Sequence, residues 1–483
     1  MLRHAAIVLA LAVSLTAAAQ SSFVEAGLRC HVVAPDTVLV ANGRDSTRYV
    51  AGHFAIPALI EHDGQAWTVA GIAPEGFSGC YRLTSIELPA TLRAIGDRAF
   101  EGCLGLESIT IPDSVATIGR DILAECNSLR AITYRARAVR RFGSLGLTAR
   151  YGESSVGSFV IADGVKIVPP GLASHLTAID SVAIPASVER IGEGAFAFCH
   201  SLRRISVAAG NLHYRGDAGY LTTIGADTLV AWPEALQPDS IISLPPGITA
   251  IAPQAFAGNV RLAEIDLANG ALRFIGRMAF YHTRLLSATV PATVERIGPM
   301  AWAACPRLLD INAALGNATY VAHDGILLNR RWHSIEAFPC GRRGTATTPR
   351  GVKGIGVGAF AFCLLDSIDI AEGVFEIANA AFTRSPHLAS VKLPATLQRI
   401  DKESFADCHS LTAIELPEGV THIGRMAFAF CTGLRSIVCH GAEPPHLGEG
   451  AFYKVTDCNV SAPSEAYRSW LPDLPLTLTP QQR

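Results

Sequence analysis

The chain has 483 residues, of which 49 % are hydrophobic and 17 % charged, and its formal net charge is −2. This composition excludes a disordered chain and offers no basic field of the kind that attracts nucleic acid. Length alone would allow about three ordinary domains of roughly 150 residues each, but an internal repeat overrides that expectation.

Residues 1–19 have the three parts of a secretory signal peptide. Arg3 and His4 give a basic start, an apolar run follows from Ala5 to Val13, and small residues end the segment at Ala17–Ala19. The apolar run is too short to cross a bilayer, and no later stretch of about eighteen apolar residues exists, so no transmembrane helix is expected. We therefore expect an exported protein, secreted or at the cell surface, with the periplasm as a further possible location.

One phrase recurs along the chain with a period of about 23 residues. Three copies are IELPATLRAIGDRAFEGC (86–103), AIPASVERIGEGAFAFC (183–199) and LPATLQRIDKESFADC (393–408). Each copy carries an apolar anchor residue, and these anchors are Ile72, Ile95, Ile118, Ile191, Ile251, Ile275, Ile297, Ile355, Ile377, Ile400, Ile423 and Leu447. A unit this short cannot bury its apolar face alone, so the copies must stack. The pattern predicts a repeat solenoid, a β-rich leucine-rich repeat rod of about 14 coils of ~23 residues.

The predicted domains follow from where the phrase begins, lengthens and ends. Residues 20–70 form a β-rich cap, residues 71–438 the repeat solenoid, and residues 439–483 a capping coil. Two longer intervals, near 208–240 and 312–345, each contain a strand, a polar turn and a second strand, which predicts two β-hairpin coils within the stack. The glycine after an anchor, as at Gly96, Gly192 and Gly424, is expected to relax the backbone where the coil bends.

The phrase LPxTLxxIGxxAFxxCxxLxxI resembles the BspA-like leucine-rich repeat family of secreted and surface bacterial proteins, over roughly residues 23 to 475. The resemblance implies binding rather than catalysis: adhesion to host matrix proteins, co-aggregation or other partner recognition. It supplies no set of ligand-binding residues. No sorting or wall-anchoring motif is evident after the last coil, so a periplasmic or envelope scaffold that binds partners from the same cell is kept as the alternative.

The cysteines divide into a repeated set and a few others. Eight occupy one position of the unit: Cys80, Cys103, Cys126, Cys199, Cys305, Cys363, Cys408 and Cys431. Their wide spacing lacks the clustering of a structural zinc site, and cysteine packs well as a small apolar group, so buried thiols are predicted. Cys439 and Cys458 lie outside that position in an exported chain, and either a disulfide or two free thiols would fit them.

Two sets of residues are candidate ligand contacts. Arg190, Arg296 and Arg399 precede an anchor isoleucine in three distant units, either as solubilising charges or as a ligand edge. The aromatic set gathers in the two insertions, as interface anchors or as hairpin packing, and consists of Tyr214, Tyr220, Trp232, Tyr320 and Trp332. No catalytic motif occurs outside the repeats, so we expect no enzyme, metal or cofactor. The expected partner of this monomer is a protein ligand and not nucleic acid.

Overall fold

The computed structural model describes residues 21–43, 50–137, 139–147, 154–237, 241–473 and 476–480. The chain divides into two compact units, Met1–Pro238 and Asp239–Arg483. Both consist of stacked β-coils, about 17 turns in all, with almost no helix. The predicted solenoid is confirmed, with a few more coils than the fourteen expected. The predicted signal peptide lies outside the described residues.

Each coil contributes one main strand and one short strand. The main strands of the Met1–Pro238 unit are Gly52–Ala55, Leu83–Glu87, Ser108–Ile111, Ala131–Tyr134, Ser158–Ile161, Ser181–Ile184 and Arg204–Val207. Its short strands are Ala94–Ile95, Thr117–Ile118, Arg141–Phe142, Ile167–Val168 and Arg190–Ile191.

The Asp239–Arg483 unit repeats this plan. Its main strands are Ile241–Ser243, Glu264–Asp266, Ser287–Val290, Asp310–Ala313, Thr345–Thr347, Ser367–Asp369, Ser390–Lys392, Ala413–Leu416, Ser436–Cys439, Cys458–Ala462 and Leu476–Pro480. Its short strands are Ala250–Ile251, Phe274–Ile275, Arg296–Ile297, Gly354–Ile355, Glu376–Ile377, Arg399–Ile400, His422–Ile423 and His446–Leu447.

The main strands form because polar and apolar residues alternate. In Ser108–Ile111 the two isoleucines are buried and the two hydroxyl residues exposed. Ile109 lies opposite Ile86 on one side and Ile132 on the other, in parallel register. Residues at equivalent positions of the repeat therefore stack from coil to coil, and each coil buries the apolar face of its neighbour.

A β-rich cap precedes the first coil. Its strands are Ser22–Glu25, Leu28–Ala34, Thr37–Asn42, Leu59–His62 and Gln65–Ile72. Thr37–Asn42 pairs in parallel with Gln65–Ile72, which connects the cap to the coils that follow. At the other end of the chain a 3-10 helix spans Glu465–Asp473, and the Tyr467 hydroxyl donates to the Gly441 carbonyl at 3.0 Å. No helix among the residues that the structure describes is long and apolar enough to cross a membrane.

Both insertions are antiparallel β-hairpin coils, as predicted, but each has three strands instead of two. The first contains Tyr214–Arg215, Leu221–Thr223 and Thr228–Ala231. The second contains Tyr320–His323, Ile326–Asn329 and Ser334–Ala337.

A column of stacked phenylalanines fills the core of the Asp239–Arg483 unit. Its rings lie 4.6 to 5.2 Å apart, which matches the coil spacing of roughly 4.8 Å. The column runs through Phe338, Phe360, Phe382, Phe405, Phe428 and Phe452. These rings occupy the AF position of the repeat, so the sequence period directly generates the stack.

The repeated cysteines are buried thiols, as predicted. Several of their Sγ atoms donate to the phenylalanine carbonyl of the preceding coil, at 3.1 Å for Cys408 to Phe382 and 3.0 Å for Cys431 to Phe405, and Cys199 donates to the Ala173 carbonyl instead. Ser385 occupies the same position and donates to Phe360 at 2.9 Å. Burial raises the pKa of Cys408 to about 12. The position therefore selects a small side chain that can donate one hydrogen bond.

The structure does not join Cys439 and Cys458 in the disulfide considered for them, and it buries both as thiols. Ser436 lies opposite Asn459 in the parallel pair of strands, which places Cys458 opposite Arg435. Cys439 is four residues further along its strand, or about 13 Å. A disulfide needs Cα atoms within roughly 7 Å, so the strand register excludes it.

The expectation for the glycine after each anchor was wrong in its physical reason. Gly96, Gly192 and Gly424 do not have the positive φ that would mark a sharp bend. A Cβ on Gly424 would instead lie 2.5 Å from the Lys402 backbone nitrogen of the preceding coil, and one on Gly192 would lie 2.3 Å from Pro170 N. At these three positions glycine avoids a clash because the backbones of adjacent coils meet there.

Candidate binding surface

In each unit the short strands form a face that carries exposed side chains. In the Asp239–Arg483 unit each anchor residue follows a residue that is at least partly exposed, and every anchor except Leu447 is buried. The Met1–Pro238 unit is less regular, since Ala94 and Thr117 are buried. In the Asp239–Arg483 unit the register aligns the residues just before the anchors in one row, consisting of Gly354, Glu376, Arg399, His422 and His446. Side chains in this row are separated by roughly one coil spacing of 4.8 Å and can act together on a ligand.

Arg399 lies in this row and is held by carboxylates. Its Nη2 is 2.6 Å from Glu376 Oε1 and 3.6 Å from Asp401 Oδ2. Burial and the hydrogen bond to Asp401 raise the pKa of Glu376, which the Arg399 charge opposes. The guanidinium thus serves first to neutralise two carboxylates brought together by the coil.

Arg190 and Arg296 occupy the equivalent position in other coils. The Arg296 guanidinium carbon is 5.0 Å from the centre of the Phe274 ring, a cation–π contact. Arg190 belongs to the Met1–Pro238 unit, whereas Arg296 and Arg399 belong to the other unit. The three predicted arginines therefore share a position in the repeat, and the strands of Arg296 and Arg399 belong to different sheets of their unit.

Tyr214 and Tyr320 have the same backbone role in the two insertions. The Ile191 amide donates to the Tyr214 hydroxyl at 2.8 Å, and the Ile297 amide donates to the Tyr320 hydroxyl at 2.9 Å. Burial is the main reason that the pKa of Tyr320 is raised to about 12. Both tyrosines complete the hydrogen bonding of an anchor residue, so the hairpin-packing interpretation explains them.

Two buried asparagines that the sequence reasoning missed hold the start of each insertion. Asn317 Nδ2 donates to the carbonyls of Pro291 at 2.7 Å and Val294 at 3.1 Å. Its Oδ1 accepts from the amides of Thr319 and Tyr320. Asn211 makes the matching four bonds in the first insertion. The shared spacing of Asn and Tyr, three residues apart in both insertions, is the signal that could have revealed them.

Tyr220 and Trp232 pack against each other inside the first insertion. Their rings stack at 4.8 Å with an interplanar angle of 9°. Trp232 is only 6 % exposed. This pair fits cross-strand packing of the hairpin better than ligand contact.

Trp332 is the predicted aromatic that the structure exposes. It lies in the turn between Ile326–Asn329 and Ser334–Ala337, with 65 % of its surface exposed. Asn329 Oδ1 accepts from the Arg331 and Trp332 amides and so fixes the turn. The Arg331 guanidinium carbon is 5.0 Å from the Trp332 ring centre. A rigid turn thus presents a tryptophan and an arginine to solvent.

Two further exposed side chains extend this feature onto the short-strand face. The Lys353 amide donates to the His333 carbonyl at 2.7 Å, and the Phe375 amide donates to the Lys353 carbonyl at 3.0 Å. Phe375 is 43 % exposed. Arg331, Trp332, Lys353 and Phe375 are called the aromatic–basic patch below.

A second polar cluster lies on the main-strand face of the Met1–Pro238 unit. His53 Nδ1 is 2.8 Å from Ser85 Oγ, and its Nε2 is 3.5 Å from Glu87 Oε1. The three residue types are those of a nucleophile, a base and an acid. His53 lies on Gly52–Ala55, the edge strand of its sheet, and Ser85 and Glu87 lie on the strand paired with it, Leu83–Glu87. The cluster is best explained as an exposed cross-strand hydrogen bond.

Comparison with known proteins identifies the family. A family model described as "BspA type Leucine rich repeat region (6 copies)" matches residues 70–203, 170–220, 239–321 and 336–459, together more than half of the chain. The chain belongs to the BspA-type leucine-rich repeat family. Proteins of this repeat class are typically non-catalytic, and they suggest a role in protein interaction.

Several solved structures are similar to this chain. A leucine-rich cell surface protein from Faecalibacterium prausnitzii is 23 % identical, covering 94 % of this chain and 98 % of that one, with a TM-score of 0.39. A leucine-rich repeat protein from Eubacterium ventriosum is 17 % identical over 85 % and 95 % of the two chains, with a TM-score of 0.45. The pneumococcal vaccine antigen PcpA is 15 % identical over 96 % and 99 %, with a TM-score of 0.40. A search of curated proteins found no match.

Proposed function

We propose that this protein is exported and binds other proteins, in adhesion or surface recognition, through the aromatic–basic patch, and that it carries out no catalysis. The observation that carries the proposal is the exposure of Trp332 on a fixed turn, with Arg331 against its ring. Tryptophan and arginine are the residue types most enriched where binding energy concentrates in protein interfaces. A family that suggests protein interaction supports the same conclusion.

The spacing within the patch also favours a protein partner. Phe375 lies two coils from the strand that follows Trp332, or about 10 Å, with Lys353 between them. Two apolar groups at this separation can fill two pockets of one partner surface, while the flanking cations pair with carboxylates at its rim. A partner with an apolar centre and an acidic rim is therefore expected.

The binding test compares single alanine variants of the full chain. Wild type, Trp332→Ala and Tyr453→Ala are passed over panels of purified extracellular-matrix proteins and purified bacterial surface proteins by surface plasmon resonance. Tyr453 is 48 % exposed and lies outside the patch, so it is the matched control. Saturable binding that Trp332→Ala weakens about thirtyfold, and Tyr453→Ala leaves unchanged, is the expected result. Equal effects of the two variants, or no saturable binding, would contradict the proposal.

Location distinguishes surface recognition from the envelope scaffold. Intact cells that express the chain are treated with protease, and the remaining full-length protein is measured. Degradation without cell lysis is the expected outcome for a protein that meets external partners. Full protection until the outer layer is opened would favour a scaffold that binds partners from the same cell.

A further inference from the structure

The short-strand face of the Met1–Pro238 unit carries a row of cations. Arg120, Arg140, Arg141, Lys166 and Arg190 lie on or beside short strands, and all are exposed. They come from four consecutive coils, as three strand pairings show. Thr117 lies opposite Arg141, Ala131 opposite Ser158, and Ile167 opposite Arg190. The row therefore spans three coil spacings, or about 14 Å.

Two of these cations are neutralised locally. Arg120 Nη2 is 3.2 Å from Asp97 Oδ2, and Lys166 Nζ pairs with Glu189. Of the other acidic side chains in these coils, Asp163 lies in the turn before Lys166, and Asp121 and Glu193 lie in the turns after the short strands. Asp121 already accepts a hydrogen bond from Ser144 Oγ.

Three arginines in the row are less neutralised than the other two cations, although Asp97, whose pKa burial raises and Arg120 lowers, also has its pKa lowered by the Arg141 charge. Among the residues that the structure describes, no carboxylate lies within ion-pair distance of Arg140, Arg141 or Arg190. Arg140 and Arg141 end the run RARAVRR, residues 135–141, whose first two arginines pair with Asp113. Basic runs of this kind form patches for polyanions. Arg140, Arg141 and Arg190 are called the arginine row below.

The side chains around these cations do not favour a protein partner or single-stranded nucleic acid. Its anchor residues are at most partly exposed, with Phe142 and Ile167 half-buried, and none of the large exposed hydrophobic side chains lies on these short strands. Protein interfaces depend on buried apolar anchors, and single-stranded nucleic acid depends on aromatic stacking. The arginine row offers only charge and planar hydrogen-bond donors, presented along a line.

We propose that the arginine row binds a sulfated polysaccharide chain. Guanidinium groups pair with tetrahedral and carboxylate oxyanions through two parallel hydrogen bonds, and a linear polyanion can meet successive coils along its length. Sulfate esters remain ionised at every physiological pH, so this pairing persists wherever an exported protein meets such a polymer. The site is in a different unit from the aromatic–basic patch and does not depend on it.

The test uses heparin as the probe and isothermal titration calorimetry at several salt concentrations. The test variant is Arg140→Ala/Arg141→Ala in the full chain. The matched control is Arg130→Ala/Arg203→Ala, which removes two exposed cations that precede main strands of the same unit. Thermal unfolding of both variants checks that the fold is retained.

The test variant is expected to bind heparin about tenfold more weakly than wild type and with a smaller dependence on salt, since two charge contacts are lost. The control is expected to bind as wild type does, and desulfated heparin is expected not to bind. Equal weakening in both variants, or absence of heparin binding by wild type, overturns the proposal. Binding of duplex DNA at equal or higher affinity assigns the row to nucleic acid and also overturns it.

Discussion

Replacing Gly424 with alanine should reduce the free energy of unfolding by about 3 kcal/mol. The added Cβ would lie 2.5 Å from Lys402 N and 2.6 Å from Asp401 C, both backbone atoms of the preceding coil. Real Cβ contacts almost never fall below 3.0 Å, so the coils must separate. Such overpacking costs about 1–3 kcal/mol. Separation also weakens the bond from the Gly424 amide to the Ile400 carbonyl, now 2.7 Å, which is worth about 1 kcal/mol.

The matched control is Gly354→Ala in the same unit. The nearest atom to its added Cβ is the Glu376 carbonyl oxygen at 3.7 Å, an ordinary contact. Alanine there should be neutral or should stabilise by about 0.4–1 kcal/mol through the unfolded chain. Urea unfolding is followed by tryptophan fluorescence and circular dichroism, because stacked repeats need not unfold in one step. Crowding between coils is refuted if Gly424→Ala costs less than about 0.5 kcal/mol, or no more than the control.

Asn317→Ala should lower the free energy of unfolding by about 3 kcal/mol, because the carbonyls of Pro291 and Val294 would lose their hydrogen bonds to the buried side chain. In urea unfolding, the control Asn379→Ala at an exposed position should have little effect. Cys408→Ser should be less destabilising in thermal unfolding than Cys408→Ala, since a hydroxyl can replace the thiol bond to Phe382 as Ser385 shows; the opposite order would count against this role. Stability should fall above pH 9.0, because unfolding returns the pKa of Cys408 from about 12 to 9.0 and the unfolded chain then loses a proton that the native state keeps. The slope for one such thiol is about 1.4 kcal/mol per pH unit between these values, measured by urea titration at several pH values, and Cys408→Ser should reduce it.

The repeat period was sufficient to predict the coils, because each copy carries its own burial pattern. Ile109 and Ile111 alternate with polar residues, and the structure buries them as that pattern requires. The role of Gly424 could not be found in the same way. Its clash partner belongs to the neighbouring coil, and the approach of the two backbones depends on the register between coils rather than on the pattern within one. The register between Ser436–Cys439 and Cys458–Ala462 likewise determines that Cys439 and Cys458 are too far apart for a disulfide.

The candidate site was predicted in part. The sequence predicted both Trp332 and Tyr320 as possible ligand contacts. Only the structure shows that Trp332 is exposed and that the Tyr320 hydroxyl accepts a hydrogen bond from the Ile297 amide. The basic surface at Arg140 and Arg141 could not be predicted from the net charge of −2, because net charge does not show which charges are already paired. Local sequence can nominate such residues, and the neighbouring coil determines what they do.

The tyrosine hydroxyls at the insertions bear on how a repeat protein can gain or lose whole coils. Arg296–Ile297 is the last strand of its sheet, and Tyr320 accepts its anchor amide in place of another backbone. An amide buried without an acceptor would cost roughly 1–3 kcal/mol, so the hydroxyl makes this a permissible stopping point for the ladder. Gene duplication or deletion of whole coils between such stopping points leaves no orphaned donor, which lets the span of the protein vary by multiples of one repeat.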